Sequence, residues 1–181
     1  MKKIIFFLTG MLIVTLVGCG VVENTPTKQV EAFLSMYQKG DSKVLDDLDS
    51  SIENYGVFND TQKEEYRALM KKHYQELKYE VKDEVIDGDN ATVTVEIEVN
   101  DYSKVLTDAE KYRQDHEEEF TSNGKFDESK FITYRLNKMK EVNEKVKYTL
   151  NLTLTKDKNE KWLLDDLTTS DEQKLNGTYA H

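Results

Sequence analysis

A single cysteine, Cys19, excludes an intramolecular disulfide, so the folded part of this chain must be stable through packing alone. One proline and eight glycines in 181 residues are too few for a long disordered region. The three histidines, His73, His116 and His181, fall on separate segments with no H-x-x-x-H spacing and no cysteine partner, which argues against zinc ligation. His73 reads instead as a helix residue at the edge of the core. There is no Gly-rich phosphate loop, no G-x-S-x-G elbow and no Cys-His pair, so no catalytic constellation, cofactor or metal is expected. Basic residues are also scarce, 25 against 35 acidic ones, for a net charge of −10. That sign argues against nucleic acid as a partner and against electrostatic adsorption to anionic lipid.

Long apolar runs are missing too, except at the very start. Lys2 and Lys3 precede an apolar segment from Ile4 to Val17, which is short of the roughly 20 residues that a membrane-crossing helix needs. Two positive charges, a short apolar stretch and a small residue at its end have the layout of a secretory signal. The closing Leu16-Val17-Gly18-Cys19 resembles the lipobox of bacterial lipoproteins. The resemblance implies that a signal peptidase reads Leu16 and Gly18, that the Cys19 thiol takes a diacylglycerol with palmitate-type chains, and that cleavage makes Cys19 the new N-terminus. Two acyl chains hold stably where one holds only weakly, at about 0.8 kcal/mol per buried CH₂. Loss of residues 1–18 leaves 23 basic residues against 35 acidic ones, a net charge of −12. The expected division is a signal peptide over 1–18, a lipidated cysteine with a short tether over 19–25, and one domain over 26–181, at the outer face of the cytoplasmic membrane of a Gram-positive bacterium.

Periodicity then lays out the domain. Thr25-Pro26 has the form of a helix cap followed by proline at the first helical position, and Val30, Phe33, Leu34 and Tyr37 recur at helical spacing as far as Gly40. Asp41 or Ser42 opens a short helix carrying Val44, Leu45 and Leu48, and residues 49–60 read as a loop folded onto the body. Thr61 and Glu64 fit a capping box ahead of a third helix ending near Glu76. Leu77, Tyr79, Val81 and Val85 alternate with polar residues, Asp87-Gly88-Asp89-Asn90 supplies turn chemistry, and Ala91, Val93, Val95, Ile97 and Val99 alternate again. This is a β-hairpin with one apolar face. Thr107-Asp108-Ala109-Glu110 suggests a second capping box, opening a charged helix to Phe120, and Asp127 caps another carrying Phe131, Leu136 and Met139. Tyr148, Leu150, Leu152 and Leu154 alternate as a third strand, residues 162–167 return as a fourth, and Ser170 caps a last helix that brings in Leu175.

Helices followed by long meandering strands, ending in Trp162-Leu163-Leu164-Asp165-Asp166-Leu167, resemble the NTF2-like fold, in which a curved antiparallel sheet wraps an N-terminal helix. Thr25-Pro26-Thr27, Phe33-Leu34, Tyr37 and Lys39-Gly40-Asp41 resemble the opening of small Gram-positive lipoproteins that carry such domains. The pattern itself gives an α+β domain with about four strands, fewer than a full NTF2-like sheet has, and a helical hairpin inserted between strands 2 and 3, so the chain departs from that family at two points. The resemblance implies a cone-shaped cavity, for which Tyr37, Tyr74, Tyr148, Trp162 and Asp166 are the candidate lining residues. Two functions follow as expectations. One is a lipid-anchored, non-enzymatic module that binds a small molecule, peptide or envelope protein. The other, since NTF2-like folds include isomerases and dehydratases, is an enzyme using Asp166 and a tyrosine on the concave sheet face.

Overall fold

A computed structural model describes residues 24–180. The signal segment with Leu16, Gly18 and Cys19, and also His181, lie outside the described residues. The described chain is an α+β fold of six α-helices and a four-stranded antiparallel sheet in the order β1-β2-β5-β6.

Helix α1 (Pro26–Lys39) starts where the Thr25 side chain accepts the Lys28 amide and stops at Gly40, whose φ of 61° suits glycine. Its Val30 and Leu34 are fully buried against the inner face of the sheet. Its Met36 packs the other way, into a second core cluster, and Tyr37 touches both. Helix α2 (Ser42–Tyr55), capped by Asp41, runs seven residues past its expected end. Ile52 continues the stripe of Val44, Leu45 and Leu48, so burial of that face carries the helix through Asp49, Ser50 and Ser51 until Gly56 closes it.

Helix α3 (Asp60–Gln75) is capped by Asn59 and Gln62, not by Thr61 and Glu64. The buried Gln62 amide also donates to the Ser129 carbonyl and to Thr133 Oγ1, at 2.7 and 2.9 Å, so long-range pairing fixes where the helix begins.

Strands β1 (Lys78–Asp87) and β2 (Asn90–Asn100) form the expected hairpin, turning at Gly88 with φ 59°. A bulge at Lys82 shifts the register between Val81 and Asp83. Val85, expected to face inward with Val81, is thrown to the outer face and is exposed. Glu84 comes inward instead, opposite Val93, and its carboxylate accepts from the Thr27 amide at 2.8 Å and the Thr27 hydroxyl at 2.7 Å. The bulge thus aims a negative charge at the positive end of α1.

Between β2 and β5 the chain makes α4 (Ser103–Asp115), a single 3₁₀ turn (Glu117–Phe120), a two-residue hairpin of β3 (Thr121–Ser122) and β4 (Lys125–Phe126), and α5 (Glu128–Lys140). Helix α4 opens five residues earlier than the Thr107 box suggests. Asp101 accepts the Ser103 amide, and Thr107 donates back to the Ser103 carbonyl from inside the helix. Ala109, Phe120 and Phe131 form a small core here, flanked by Tyr112 and Tyr134. Asp127 caps α5 as expected.

Strand β5 (Lys145–Lys156) pairs with β2 along its length, and β6 is only Trp162–Leu164. Beyond Leu164 the chain leaves the sheet for α6 (Thr169–Leu175), capped by Thr168 and not by Ser170. Gly177 then lies so close to β2 that a Cβ would meet the Asn100 carbonyl oxygen at 2.0 Å, and its own carbonyl accepts the Tyr102 amide. The end of the chain is thereby sewn to the junction of β2 and α4.

Candidate functional site

The inner face of the sheet is closed. Val93, Val95, Ile97, Leu150, Leu152 and Leu154 fill it beneath Val30 and Leu34, each with at most 2% exposure. Open space lies instead among the helices. A cleft of about 1200 Å³ is walled by Phe33, Met36 and Tyr37 of α1, by Val44, Leu48 and Ile52 of α2, and by Leu167, Glu172 and Leu175 around α6. Polar and apolar groups share its lining about equally. Asp47, Asp165, Asp166 and Glu172 all line it, with Lys43 and Arg135 as the cations.

Three of the five residues expected to line a cavity meet in this cleft, namely Tyr37, Tyr74 and Asp166. Tyr37 packs edge-on between Phe33 and Tyr74, with ring centroids 5.2 and 4.9 Å away. Burial first, then Asp47 and Glu172, pushes its pKa up to about 12, so the hydroxyl stays protonated. That hydroxyl has no hydrogen-bond partner among the described residues. The Tyr74 hydroxyl donates to Asn176 Oδ1 at 2.8 Å, and burial raises its pKa as well. Asp166 is exposed. Tyr148 and Trp162 are buried on the sheet side and do not line this cleft. Tyr148 donates to the Tyr179 carbonyl at 3.0 Å, and the Trp162 backbone is clasped by the Asn24 side chain.

A second cleft, about 470 Å³, opens between α3, α4 and α5. Its aromatic wall is built from Tyr55, Phe58 and Tyr66, in which Phe58 stacks on Tyr66 at 5.3 Å and Tyr55 leans on Phe58 at 6.0 Å. Phe126 and Phe131 also line it. Tyr55, Tyr66, Arg135 and Met139 line both clefts, so the two meet there. The Arg113 Nε donates to Glu110 at 2.8 Å, and the Arg113 guanidinium lies 5.3 Å from the Phe126 ring. Arg135 lies over the Phe131 ring at 5.7 Å; among the described residues no hydrogen bond or contact ion pair holds it, and its charge acts on Glu110 through space. Of these residues, Arg113 and Arg135 carry no motif. The available signal was the stripe Phe131, Arg135, Met139 at i, i+4, i+8 on α5, an arginine inside an apolar face.

His73 belongs to the core, not to a site. It is 1% exposed, its Nε2–H donates to the Leu175 carbonyl at 2.8 Å, and its Nδ1 faces the Asn100 amide at 3.4 Å. Among the described residues no group of three or more His, Cys, Asp or Glu side chains is placed to hold a metal ion. Nor is any helix among them long and apolar enough to cross a membrane.

No family model matches the chain, and no curated protein matches it. A solved structure that it resembles is that of an inferred lipoprotein, ycdA, from Bacillus subtilis subsp. subtilis str. 168. The two share 12% identity and a TM-score of 0.42, over 82% of this chain and 46% of the other. The chain thus spans about half the length of that protein.

Proposed function

We propose that this chain is a lipid-anchored extracytoplasmic binding module, non-enzymatic and NTF2-like in plan. A diacylglycerol on Cys19 holds it at the outer face of the cytoplasmic membrane, and its interhelical cleft takes a small molecule, a peptide or a segment of an envelope protein. The observation that carries the reading is the larger cleft, a concave space of about 1200 Å³ whose lining brings apolar side chains together with polar and charged groups, as a ligand site does. The unpartnered Tyr37 hydroxyl supplies a donor within it. A catalytic reading needs a desolvated acid beside a tyrosine, whereas Asp166 is exposed and the inner sheet face is packed with aliphatic side chains.

The test is a fragment screen by NMR chemical-shift perturbation on the full-length chain in lipid nanodiscs. Bound fragments are expected to perturb residues of the large cleft, Tyr37 and Leu48 among them. Ala32→Trp, which adds bulk from an exposed position on the cleft wall without touching the core, should remove those perturbations. Fragments that scatter over the surface, or that ignore Ala32→Trp, sink the reading.

A further inference from the structure

We propose that the smaller cleft is a site for a small amphipathic carboxylic acid, whose carboxylate is held by Arg135 and whose apolar body lies between the wall of Tyr55, Phe58 and Tyr66 and the ring of Phe131. This rests on the binding reading above and names the class of ligand that its annex takes.

The first argument is charge. In a chain with an excess of acids, Arg135 is half-buried among aromatic rings and makes no hydrogen bond or contact ion pair among the described residues, Glu110 acting on it only through space. A partly desolvated guanidinium gains most from a planar anion that meets its fork with two parallel hydrogen bonds. The neighbouring Arg113 is already committed to Glu110. A second donor is in place: the Tyr66 hydroxyl lines the same cleft, has no partner among the described residues, and is kept protonated by burial.

The anion's charge follows from the same inventory. Glu110 is held below the usual carboxylate range, first by its hydrogen bond from Arg113, so it stays ionised, and Glu128 also lines the cleft. With Glu110 paired to Arg113, Arg135 is the cation left without a contact partner and Glu128 is a further carboxylate in the lining, which suits a monoanion. A phosphate monoester, with a charge near −2 at neutral pH, is disfavoured. The volume of about 470 Å³ falls within the range of small-molecule pockets and does not admit a folded partner. Several aromatic rings in the lining call for a flat or chain-like apolar body.

The experiment compares 3-phenylpropionate with its neutral isostere 3-phenylpropionamide, using ligand-observed NMR on the full-length chain in nanodiscs. Wild type and variants sit in identical lipid, so partition into the bilayer cancels. The acid should bind wild type at least about 10-fold more tightly than the amide, the scale of one charge-assisted contact. Arg135→Gln should erase that preference, and Tyr66→Phe, a milder change, should weaken the acid several-fold while leaving the amide alone. Phenyl phosphate should bind more weakly than the acid. Equal affinity for acid and amide, no acid binding, a preference that survives Arg135→Gln, or tighter binding of phenyl phosphate would each overturn the assignment. The two readings fail separately. Loss of the acid preference leaves cleft binding that responds to Ala32→Trp untouched, and an acid preference at Arg135 survives a negative fragment screen of the larger cleft.

Discussion

At the scale of single residues, His73 carries the clearest pH consequence. Burial, ahead of all other effects, and then Lys145 depress its pKa to about 4, against the opposing pull of the Leu175 carbonyl. The folded state therefore holds a neutral ring whose Nε2–H is committed to Leu175. An unfolded histidine titrates near 6.5. Above that pH neither state binds the proton and the contribution is complete. Between about 6.5 and 4 the unfolded chain takes a proton that the fold refuses, so stability drains as pH falls, by on the order of 3 kcal/mol at pH 4. Urea midpoints at pH 7, 5.5 and 4 should show the decline, and His73→Gln should flatten the part between 7 and 5, where carboxylates contribute little. If the variant keeps the wild-type slope, His73 is not the group responsible. The loss falls at the seam where α6 and the chain end dock onto α3, so that seam should open first in acid.

At the scale of elements, the sheet and α1 depend on each other through one side chain. The bulge at Lys82 re-aims Glu84, and Glu84 then satisfies the Thr27 amide at the start of α1. Glu84→Ala should lower stability by about 1 kcal/mol, the usual worth of an N-terminal cap with a favourable helix-dipole term, and added salt should shrink the difference. A urea midpoint that is unchanged at low salt would show that water replaces the carboxylate without loss. Such couplings explain what could be read from the chain. Helix α1 from Thr25 to Gly40, the alternation of β2 and β5, and the Asp127 cap were all legible because period and capping are local properties. The bulge was not, because Lys82 and Asp83 are both polar and either fits a solvent-facing position. Asn59 and Thr61 are equally good caps in isolation, and the choice rests on Gln62 reaching Ser129 and Thr133 some 70 positions away in sequence. Of the candidate lining residues, Tyr37 and Tyr74 reach the larger cleft because they sit on apolar helix faces. Arg135 was not among the candidates because a lone arginine on a helix gives no hint that two clefts meet at it.

At the scale of the whole molecule, the question is how the body is held. Asn24 donates to the Trp162 carbonyl at 3.2 Å and accepts the Trp162 amide, so the folded body already begins five residues after Cys19. At roughly 3.5 Å per residue, those five span at most about 18 Å, which would keep the sheet edge at β6 close to the bilayer. A net charge of −10 argues against an electrostatic hold on anionic lipid. Attachment in this reading is therefore all-or-none with respect to one thiol. Cys19→Ala should move the protein from the membrane fraction to the soluble or secreted fraction, while wild type stays with the membrane through a wash in 1 M salt, on the order of ten times the ionic strength at which exposed charges are already screened beyond about 10 Å. Intact-mass measurement of the wild-type protein should show Cys19 as the N-terminal residue carrying a diacylglycerol. A Cys19→Ala protein that resists the same wash would mean that some surface of the body binds the membrane directly. The apolar residues exposed at Tyr55, Val57 and Phe126 beside the smaller cleft would then be the first place to look.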